Sequence, residues 1–592
     1  MEHQNHPNGE QPNVNQPPAQ PPVYQQPPVY QKPPVHPPVY QQPPMHPPVY
    51  QQPPMHPPVY QQPLIYQQVP VYQQPPASQQ PKRPLFAAEK RDMIYALLLA
   101  IVSIICADVF LWSGIGLGGS ICTIALFTLS MCYSWRYKRR FTGYAAFCAI
   151  GYCAGAISFT FSDDTFVKVQ VLISMMVLAT IVLLEMFDLR YFESGGFRAI
   201  GDVFYAAFGL TFGRIGDGFY GLFHRKETDG TMRKRKTGRV LLGIACAIPV
   251  LLIVIPLLAA SDAAFEGLIE FLTFERIWEL IGATLLGLFL CVLLFGQMFS
   301  VRRIERVKSQ QKDKRGVESV ALCAFEAVIA LVYVLYLFSQ LAYFFSAFSG
   351  LLPKSYTVAQ YARRGFFEMT IICGINLLIV FLVLLLAKRK DRVAPKGERI
   401  LSVFLCLFSL VLIATALSKM MLYIDSFGMT RLRILTSVFM VFLAVLFLAV
   451  IAHLLVPKVP YMKIAVVAAT VLVLATCYAD VDRLIASYNV SAYQTGKLEE
   501  IDTDTLEELS SDAAIPYIMK LANDADLSVR YDVQELLHWE MVEHGIEATA
   551  SGTFEIENYD WRSFNLPEFR ARQLLWENRE EIWLDWLENE WD

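Results

Sequence analysis

The 592-residue sequence lacks the short motifs that mark most soluble enzymes and metal-binding modules. It contains no Walker A, HExxH or GxSxG motif and no protein-kinase signature, so we do not expect an enzyme with a soluble type of catalytic domain. The eleven cysteines include no CxxC pair and all lie in apolar segments between Cys106 and Cys477. Because such cysteines usually pack as small hydrophobic side chains, we predict no metal site, no disulfide framework and no cofactor.

Charge is also scarce, and it is unevenly distributed along the chain. Charged residues make up 18% of the sequence, against about a quarter in typical soluble domains. Lys and Arg concentrate in loops between apolar runs, whereas from Ala486 onward 25 Asp or Glu stand against 7 Lys or Arg. This pattern predicts a membrane protein that contacts the lipid bilayer, carries an acidic C-terminal domain and has no nucleic-acid partner.

The first 84 residues contain no apolar run and therefore no cleavable signal peptide, so targeting is expected from the first transmembrane helix. They form a low-complexity, proline-rich repeat in which 41–50 and 51–60 both read QQPPMHPPVY. Such a composition cannot bury enough apolar surface to offset the entropy of ordering, which predicts a disordered tail over 1–84. Its PPVY units resemble ligands of WW domains, and the alternative is a variable, solvated tail.

Eleven apolar runs are long enough to cross a bilayer, since a transmembrane helix needs about 20 such residues. The predicted spans are 94–112, 115–134, 142–160, 167–187, 239–260, 278–300, 319–345, 367–387, 399–421, 434–456 and 461–481. Gly114, Gly116 and Gly119, just after the first span, match the pattern GxGxxG. They follow an apolar helix rather than a strand, so we interpret them as a hairpin turn.

The loops between the spans define an orientation. With a cytoplasmic N-terminus, the inner segments hold about 33 Lys and Arg and the outer loops about 7, as the positive-inside rule requires. The number of spans is odd, so the C-terminal domain is predicted to be extracytoplasmic. The chain is therefore predicted to be a multi-pass protein of the cell membrane.

Residues 198–223 form a further apolar segment, in which Phe204, Phe208 and Phe212 recur on one helical face. Charged residues interrupt the other face, which favours an interfacial helix on the cytoplasmic leaflet. The alternative is a twelfth span, which would place the basic run Arg233–Lys236 outside, against the positive-inside rule.

Charged residues near the outer ends of the spans are candidates for an outward-facing polar site. The members of this site are Asp108, Arg363, Arg364, Glu368, Lys419, Arg431 and Arg433. Arginine pairs suit bidentate recognition of a carboxylate or phosphate. The alternative is interfacial snorkelling together with structural ion pairs between the loops and the acidic domain, since charge at the end of a span costs less than charge at its centre.

Residues 486–592 lack an apolar span and hold six of the nine tryptophans. Helices are predicted over 511–521 and 527–544, and a final helix begins at the N-cap Asn565. The fold class is therefore all-α. A polytopic transmembrane domain over 85–485, with about eleven helices, separates the disordered tail from a small helical soluble domain over 486–592, whose tryptophans form its core or an aromatic platform.

Four short motifs carry a resemblance to a known family. They are YARRGFF at Tyr361–Phe367, GMTRLR at Gly428–Arg433, DRLIASYN at Asp482–Asn489 and DWRSFN at Asp560–Asn565. In these motifs the chain resembles an uncharacterised bacterial family of multi-pass membrane proteins, labelled domain of unknown function 4153/4173. The resemblance covers the spans and the C-terminal domain but not the tail, and it implies no activity.

Three functional hypotheses follow. The first is a non-enzymatic envelope scaffold or sensor, whose outer domain meets a protein or another envelope partner. The second is a transporter with an outward-facing polar site that includes Asp108, Arg363, Arg364 and Glu368, although few charges lie at the membrane midplane. The third is a membrane-embedded enzyme acting on lipid-linked substrates, for which no nucleophile or base is identified.

Overall fold

The structure is a computed structural model. It describes residues 89–189, 196–213, 215–216, 254, 258, 274–301, 317–349, 366–387, 394–548, 553–556 and 560–591. The predicted tail over 1–84, nearly all of the predicted span over 239–260, and residues 214 and 217–223 lie outside the described residues.

Ten of the eleven predicted spans coincide with helices in the described part of the chain. The helices of the membrane region are α1 (Lys90–Asp108), α2 (Leu117–Trp135), α3 (Gly143–Ser158), α4 (Thr165–Phe187), α5 (Ala199–Gly213), α6 (Phe274–Val301), α7 (Ser319–Ser349), α8 (Phe366–Leu386), α9 (Lys396–Phe427), α10 (Arg431–Leu455) and α11 (Tyr461–Ala479). Nine of these are long and apolar enough to cross a membrane, and α3 is a shorter apolar helix. The prediction of an all-α polytopic membrane protein is therefore confirmed.

The membrane helices form two packed groups. In the first, Leu99 and Phe295 are fully buried between α1, α2 and α6, and α3 packs along α4. In the second, α7 to α10 surround a core that includes the fully buried Val380. Helix α11 joins the two groups, because Ala465 belongs to the second core and Cys477 packs with α3 and α4.

Helix α9 is longer than predicted. The expected span ended at residue 421, whereas α9 continues to Phe427 and has 32 residues. At 1.5 Å per residue this gives roughly 48 Å, more than the ~30 Å hydrocarbon core needs. Lys419, expected at the end of a span, therefore lies half-buried within the helix, and the last turn brings Asp425 to the C-terminal domain.

Helix α5 lies against the ends of other helices. The backbone N–H of Phe197, just before α5, donates to the hydroxyl of Tyr461 at the start of α11 at 2.7 Å. Near the end of α6, the Gln297 amide donates to the Ala206 carbonyl at 3.2 Å. Phe204 and Phe208 are exposed, so the apolar stripe points away from the protein. That this stripe lies on a membrane surface stays a prediction.

The helix that opens the C-terminal region begins before residue 486. The elements of this region are α12 (Val481–Gln494), α13 (Thr503–Glu507), α14 (Ile515–Ile518) between two 3-10 turns (Asp512–Ala514 and Met519–Leu521), α15 (Leu527–Glu543), β1 (Ile546–Ala548), β2 (Phe554–Ile556) and α16 (Leu566–Trp591). The predicted boundary at 485 falls inside α12, whose Ala486 and Val490 pack in one core with α15 and α16. The antiparallel hairpin β1–β2 was not predicted.

The start of the final helix agrees with its predicted cap. The side-chain oxygen of Asn565 accepts from the backbone N–H of Glu568 at 2.9 Å, and the Asn565 amide in turn donates to the Glu568 carboxylate. This reciprocal pattern satisfies groups that the first turn would otherwise leave unpaired. Leu575 and Ile582 on the same helix are buried in the domain core, as expected from their spacing.

Close packing of α1 on α6 gives a stability prediction. A Cβ at Gly287 would lie 2.5 Å from the Cα of Ile104, so we expect Gly287→Ala to lower the free energy of unfolding. The expected loss is about 1–3 kcal/mol, as for other overpacked sites. Thermal unfolding of the detergent-purified protein measures the effect.

The matched control is Gly374→Ala on α8, because no described atom outside the local helix backbone lies within 4 Å of a Cβ there. Alanine there should be neutral or stabilise the helix by up to about 1 kcal/mol. Equal stability of the two variants would contradict the tight α1–α6 contact.

Candidate functional site

The C-terminal domain rests on the ends of four membrane helices, and we call this contact the junction. It involves the connections that follow α1, α3, α9 and α11, together with α12, the segment 510–512 and the segment 560–566. Since these connections all meet one domain, the four helices end on the same side of the helix bundle. We call this side the junction face.

Arg431, the first residue of α10, is the most connected side chain of the junction. Its guanidinium pairs in bidentate fashion with the carboxylate of Asp482 on α12 and contacts Asp164 at 3.2 Å. Asp482 and Asp164 are buried, so either carboxylate would destabilise the folded protein if its charge were not paired with a cation. Ser510 accepts from the same guanidinium at 2.7 Å, so one arginine joins α4, α10 and the C-terminal domain.

The glycine-rich connection after α1 docks directly on the C-terminal domain. The backbone N–H of Leu117 donates to the Phe564 carbonyl at 2.8 Å, and that of Gly118 donates to the Arg562 carbonyl at 2.9 Å. A Cβ at Gly116 would overlap the carbonyl of Ser563. The glycines thus do more than form the predicted turn, since they allow two backbones to approach within hydrogen-bonding distance.

Asp108 takes part in a second ionic contact at the end of α1. Its carboxylate accepts from the Arg562 guanidinium at 3.0 Å, and Asp560 accepts from the same guanidinium at 2.9 Å. All three side chains are partly exposed, so this contact positions the segment 560–566 more than it stabilises the fold.

The connection between α3 and α4 contacts two further segments of the C-terminal domain. The backbone N–H of Leu566 donates to the Thr160 carbonyl at 2.8 Å, and that of Asp512 donates to the Asp163 carboxylate at 2.9 Å. This loop therefore positions both the start of α16 and the 3-10 turn that opens at Asp512.

Asp480 makes the link between α11 and α12. Its φ of 55° lies in the left-handed region that glycine favours, so the chain turns sharply at a residue with a side chain. One carboxylate oxygen accepts from the Arg483 backbone N–H at 3.0 Å, and the other from the Ser511 hydroxyl at 2.8 Å. Burial raises the pKa of the Asp480 carboxyl.

The connection between α9 and α10 is held by one asparagine. The side chain of Asn489 accepts from the backbone N–H of Met429 at 2.6 Å and donates to its carbonyl at 2.9 Å. Gly428 has a φ of 75°, and a Cβ there would lie 2.7 Å from the Asn489 oxygen. Glycine is therefore required at 428 both for its backbone conformation and for the approach of Asn489.

Three members of the predicted polar site make separate contacts at the junction, and the site as a whole stays a prediction. Asp108 and Arg431 each contact the C-terminal domain, through Arg562 and Asp482 respectively. The guanidinium of Arg433 donates to the Phe427 carbonyl at 2.8 Å. The remaining candidates are Glu368, exposed in the first turn of α8; Lys419, half-buried on α9; and Arg363 and Arg364, which lie outside the described residues.

Sequence reasoning missed most partners of these residues. Asp164, Ser510 and Arg562 were not candidates, because each looks like an ordinary loop or turn residue. The four motifs that carry the family resemblance could have indicated these partners. Three of these motifs meet at the junction, through Arg431, Asp482 and Arg562, although they are far apart in the sequence.

A comparison with protein families identifies the family of this chain. A family model described as a domain of unknown function (DUF4153) matches residues 123–521. The chain belongs to this family. The match confirms the resemblance and includes every membrane helix from α3 to α11, together with α12 to α14 of the C-terminal domain. No curated protein and no solved structure matches the chain.

The ionic contacts of the junction differ in burial, which gives a stability prediction. Replacing Arg431 by glutamine leaves the buried Asp482 and Asp164 without their shared cation. We expect a loss of about 3–5 kcal/mol, as when one partner of a buried ion pair is removed. Thermal unfolding of the detergent-purified protein measures this loss.

The matched control is Lys497→Gln, which removes a cation from an exposed pair with Asp425 at 2.7 Å. Exposed pairs contribute little, so this variant should unfold close to the wild type. If Arg431→Gln unfolded at the same temperature as Lys497→Gln, the stability of the junction would not depend on the buried carboxylates and their cation.

Proposed function

We propose that this protein is a non-enzymatic membrane scaffold or sensor that presents its C-terminal domain to an envelope partner. The observation that supports this is the junction, in which Arg431 pairs with two buried carboxylates from different segments. A domain held by buried ionic contacts and by backbone hydrogen bonds such as Leu117–Phe564 has a defined orientation to the membrane. A fixed orientation suits a domain that must meet a partner at a set height above the bilayer.

The charge pattern supports an extracytoplasmic position for the C-terminal domain. The basic connection Arg136–Arg140 lies between α2 and α3, on the side away from the junction face, where the backbones of Arg139 and Arg140 donate to the Met186 carbonyl at the end of α4. Basic loops remain cytoplasmic. The N-terminus then lies in the cytoplasm and the junction face lies outside.

The free surface of the C-terminal domain supports a binding role. Trp539 on α15 is 60% exposed and Leu584 on α16 is 58% exposed, although the two helices pack on each other. Exposed large apolar side chains on a soluble domain favour an interaction surface. The surrounding sequence is strongly acidic, so a partner with basic groups complements it.

A pair of reporters tests the orientation. One reporter active only in the cytoplasm and one active only outside are fused in turn after Asp592. We expect activity from the external reporter alone, since the positive-inside rule places the junction face outside. Activity from the cytoplasmic reporter would reverse the orientation and make the C-terminal domain a cytoplasmic module.

Photo-crosslinking in cells tests the scaffold or sensor role. A photoreactive amino acid replaces Trp539, and the control replaces Tyr531, a less exposed residue on the same helix. We expect a discrete adduct from position 539 that is weaker or missing from position 531. The absence of any adduct from either position, in cells that contain the intact protein, would contradict a role that depends on a partner.

A transporter with an outward-facing polar site that includes Asp108, Arg363, Arg364 and Glu368 is the second candidate. The supporting observation is a polar chain inside the second helix group, where Tyr333 donates to Asn376 at 2.7 Å and Asn376 donates to Ser409 at 2.9 Å. Buried polar groups at membrane depth often line a substrate path. Substrate flux in vesicles that Asn376→Leu abolishes would favour this function over the scaffold.

A further inference from the structure

Three side chains on the membrane-facing side of the C-terminal domain form a cluster with metal-ligating atoms. They are Asp512, Glu540 and His544, and one ligand atom from each lies within 4.8 Å of the others. The Nε2 atom of His544 is 3.2 Å from Oδ1 of Asp512 and 3.9 Å from Oε2 of Glu540. All three residues are partly buried, so the cluster is shielded from bulk water but still reachable.

Local structure explains why the three side chains converge. Glu540 and His544 are four residues apart at the end of α15, a spacing that places both on one helical face. Asp512 begins the 3-10 turn after its N-cap Ser511, whose hydroxyl accepts from the Ala513 backbone N–H. The His544 imidazole lies 3.2 Å from the Asp512 carboxylate, so two short segments supply all three ligands.

A third carboxylate adds negative charge beside the cluster. One oxygen of Asp163 accepts from the Asp512 backbone N–H at 2.9 Å, and the other is buried with no hydrogen-bond partner among the described residues. Three carboxylates thus lie close together beside one imidazole, and a bound cation would offset their negative charge.

We propose that Asp512, Glu540 and His544 bind one divalent transition-metal ion, with Zn²⁺ as the first candidate. Mixed imidazole and carboxylate ligands suit this class of cation better than Mg²⁺ or Ca²⁺, which take oxygen ligands. Ligand atoms in a tetrahedral shell with bonds of about 2.0–2.1 Å lie ~3.3 Å apart. The observed separations of 3.2 and 3.9 Å need only small side-chain movements to reach that shell.

The location of the site gives the metal a structural consequence. Asp512 is hydrogen-bonded to Asp163 in the connection between α3 and α4, so a metal held by Asp512 stabilises the contact between the C-terminal domain and the membrane bundle. The site is separate from the Arg431 contacts and does not depend on the scaffold or sensor role. The C-terminal domain would then be held more firmly on the membrane bundle with the metal bound than without it.

Calorimetric titration of the full-length, detergent-purified protein with Zn²⁺ after removal of metals by EDTA tests this site. We expect one ion per chain and a higher unfolding temperature with Zn²⁺. In His544→Gln and Glu540→Gln the affinity should fall at least about 100-fold, since even indirect partners of a ligand are worth about 10–100-fold. The control is Glu543→Gln, an exposed carboxylate on the same helix, which should bind as the wild type does.

Substitution with Co²⁺ gives a readout that needs no variant. A mixed nitrogen and oxygen site of low coordination number produces an intense visible absorption band, whereas hydrated or adventitious Co²⁺ produces a weak one. The proposal is overturned if the wild type binds no Zn²⁺, or if His544→Gln and Glu543→Gln bind it equally. The cluster would then be an ion pair in which protonated His544 neutralises Asp512 and Glu540.

Discussion

The arrangement of the C-terminal domain on the membrane bundle depends on one arginine that pairs with two buried carboxylates. Arg431 lies at the first turn of α10, where its guanidinium reaches Asp482 on α12 and Asp164 at the start of α4. Two buried carboxylates are costly unless they share a cation, and a planar guanidinium satisfies both in a fixed geometry. Because the three residues come from different segments, this contact constrains the positions of the helix ends as well as that of the domain.

Around this contact the junction also contains hydrogen bonds between backbone atoms. The glycines after α1 let Leu117 and Gly118 bond to the carbonyls of the segment 562–564, and Thr160 accepts from Leu566. Such contacts carry no side-chain specificity, but they fail when a backbone cannot approach closely. The combination of one buried ionic centre with several backbone hydrogen bonds holds the domain in a single orientation, which is the property that a scaffold or sensor requires.

The cluster of Asp512, Glu540 and His544 lies beside the same contact. It is linked to the membrane bundle through Asp163, so the charge state of the cluster and the fit of the domain on the bundle are coupled by geometry. A bound metal and a protonated histidine are two ways of neutralising the same carboxylates. In either state the stability of the contact depends on a cation, as it does at Arg431.

The sequence alone determined the class of protein and most of its helices. Ten of the predicted spans appear as helices because about twenty consecutive apolar residues have no other favourable structure in a bilayer. The cap at Asn565 was also readable, since it depends on residues three positions apart. These features follow from local composition and spacing, which a single sequence displays directly.

Tertiary structure decided the length of α9, the continuation of α12 across residue 485, and the contacts of the predicted polar site. Asp108 and Arg431 were recognised as unusual, but their partners Arg562 and Asp482 are 454 and 51 residues away. No local rule links residues at such separations, because their proximity arises only when the helices pack and the domain docks. The same reason hid the cluster at His544, whose third member, Asp512, comes from another segment.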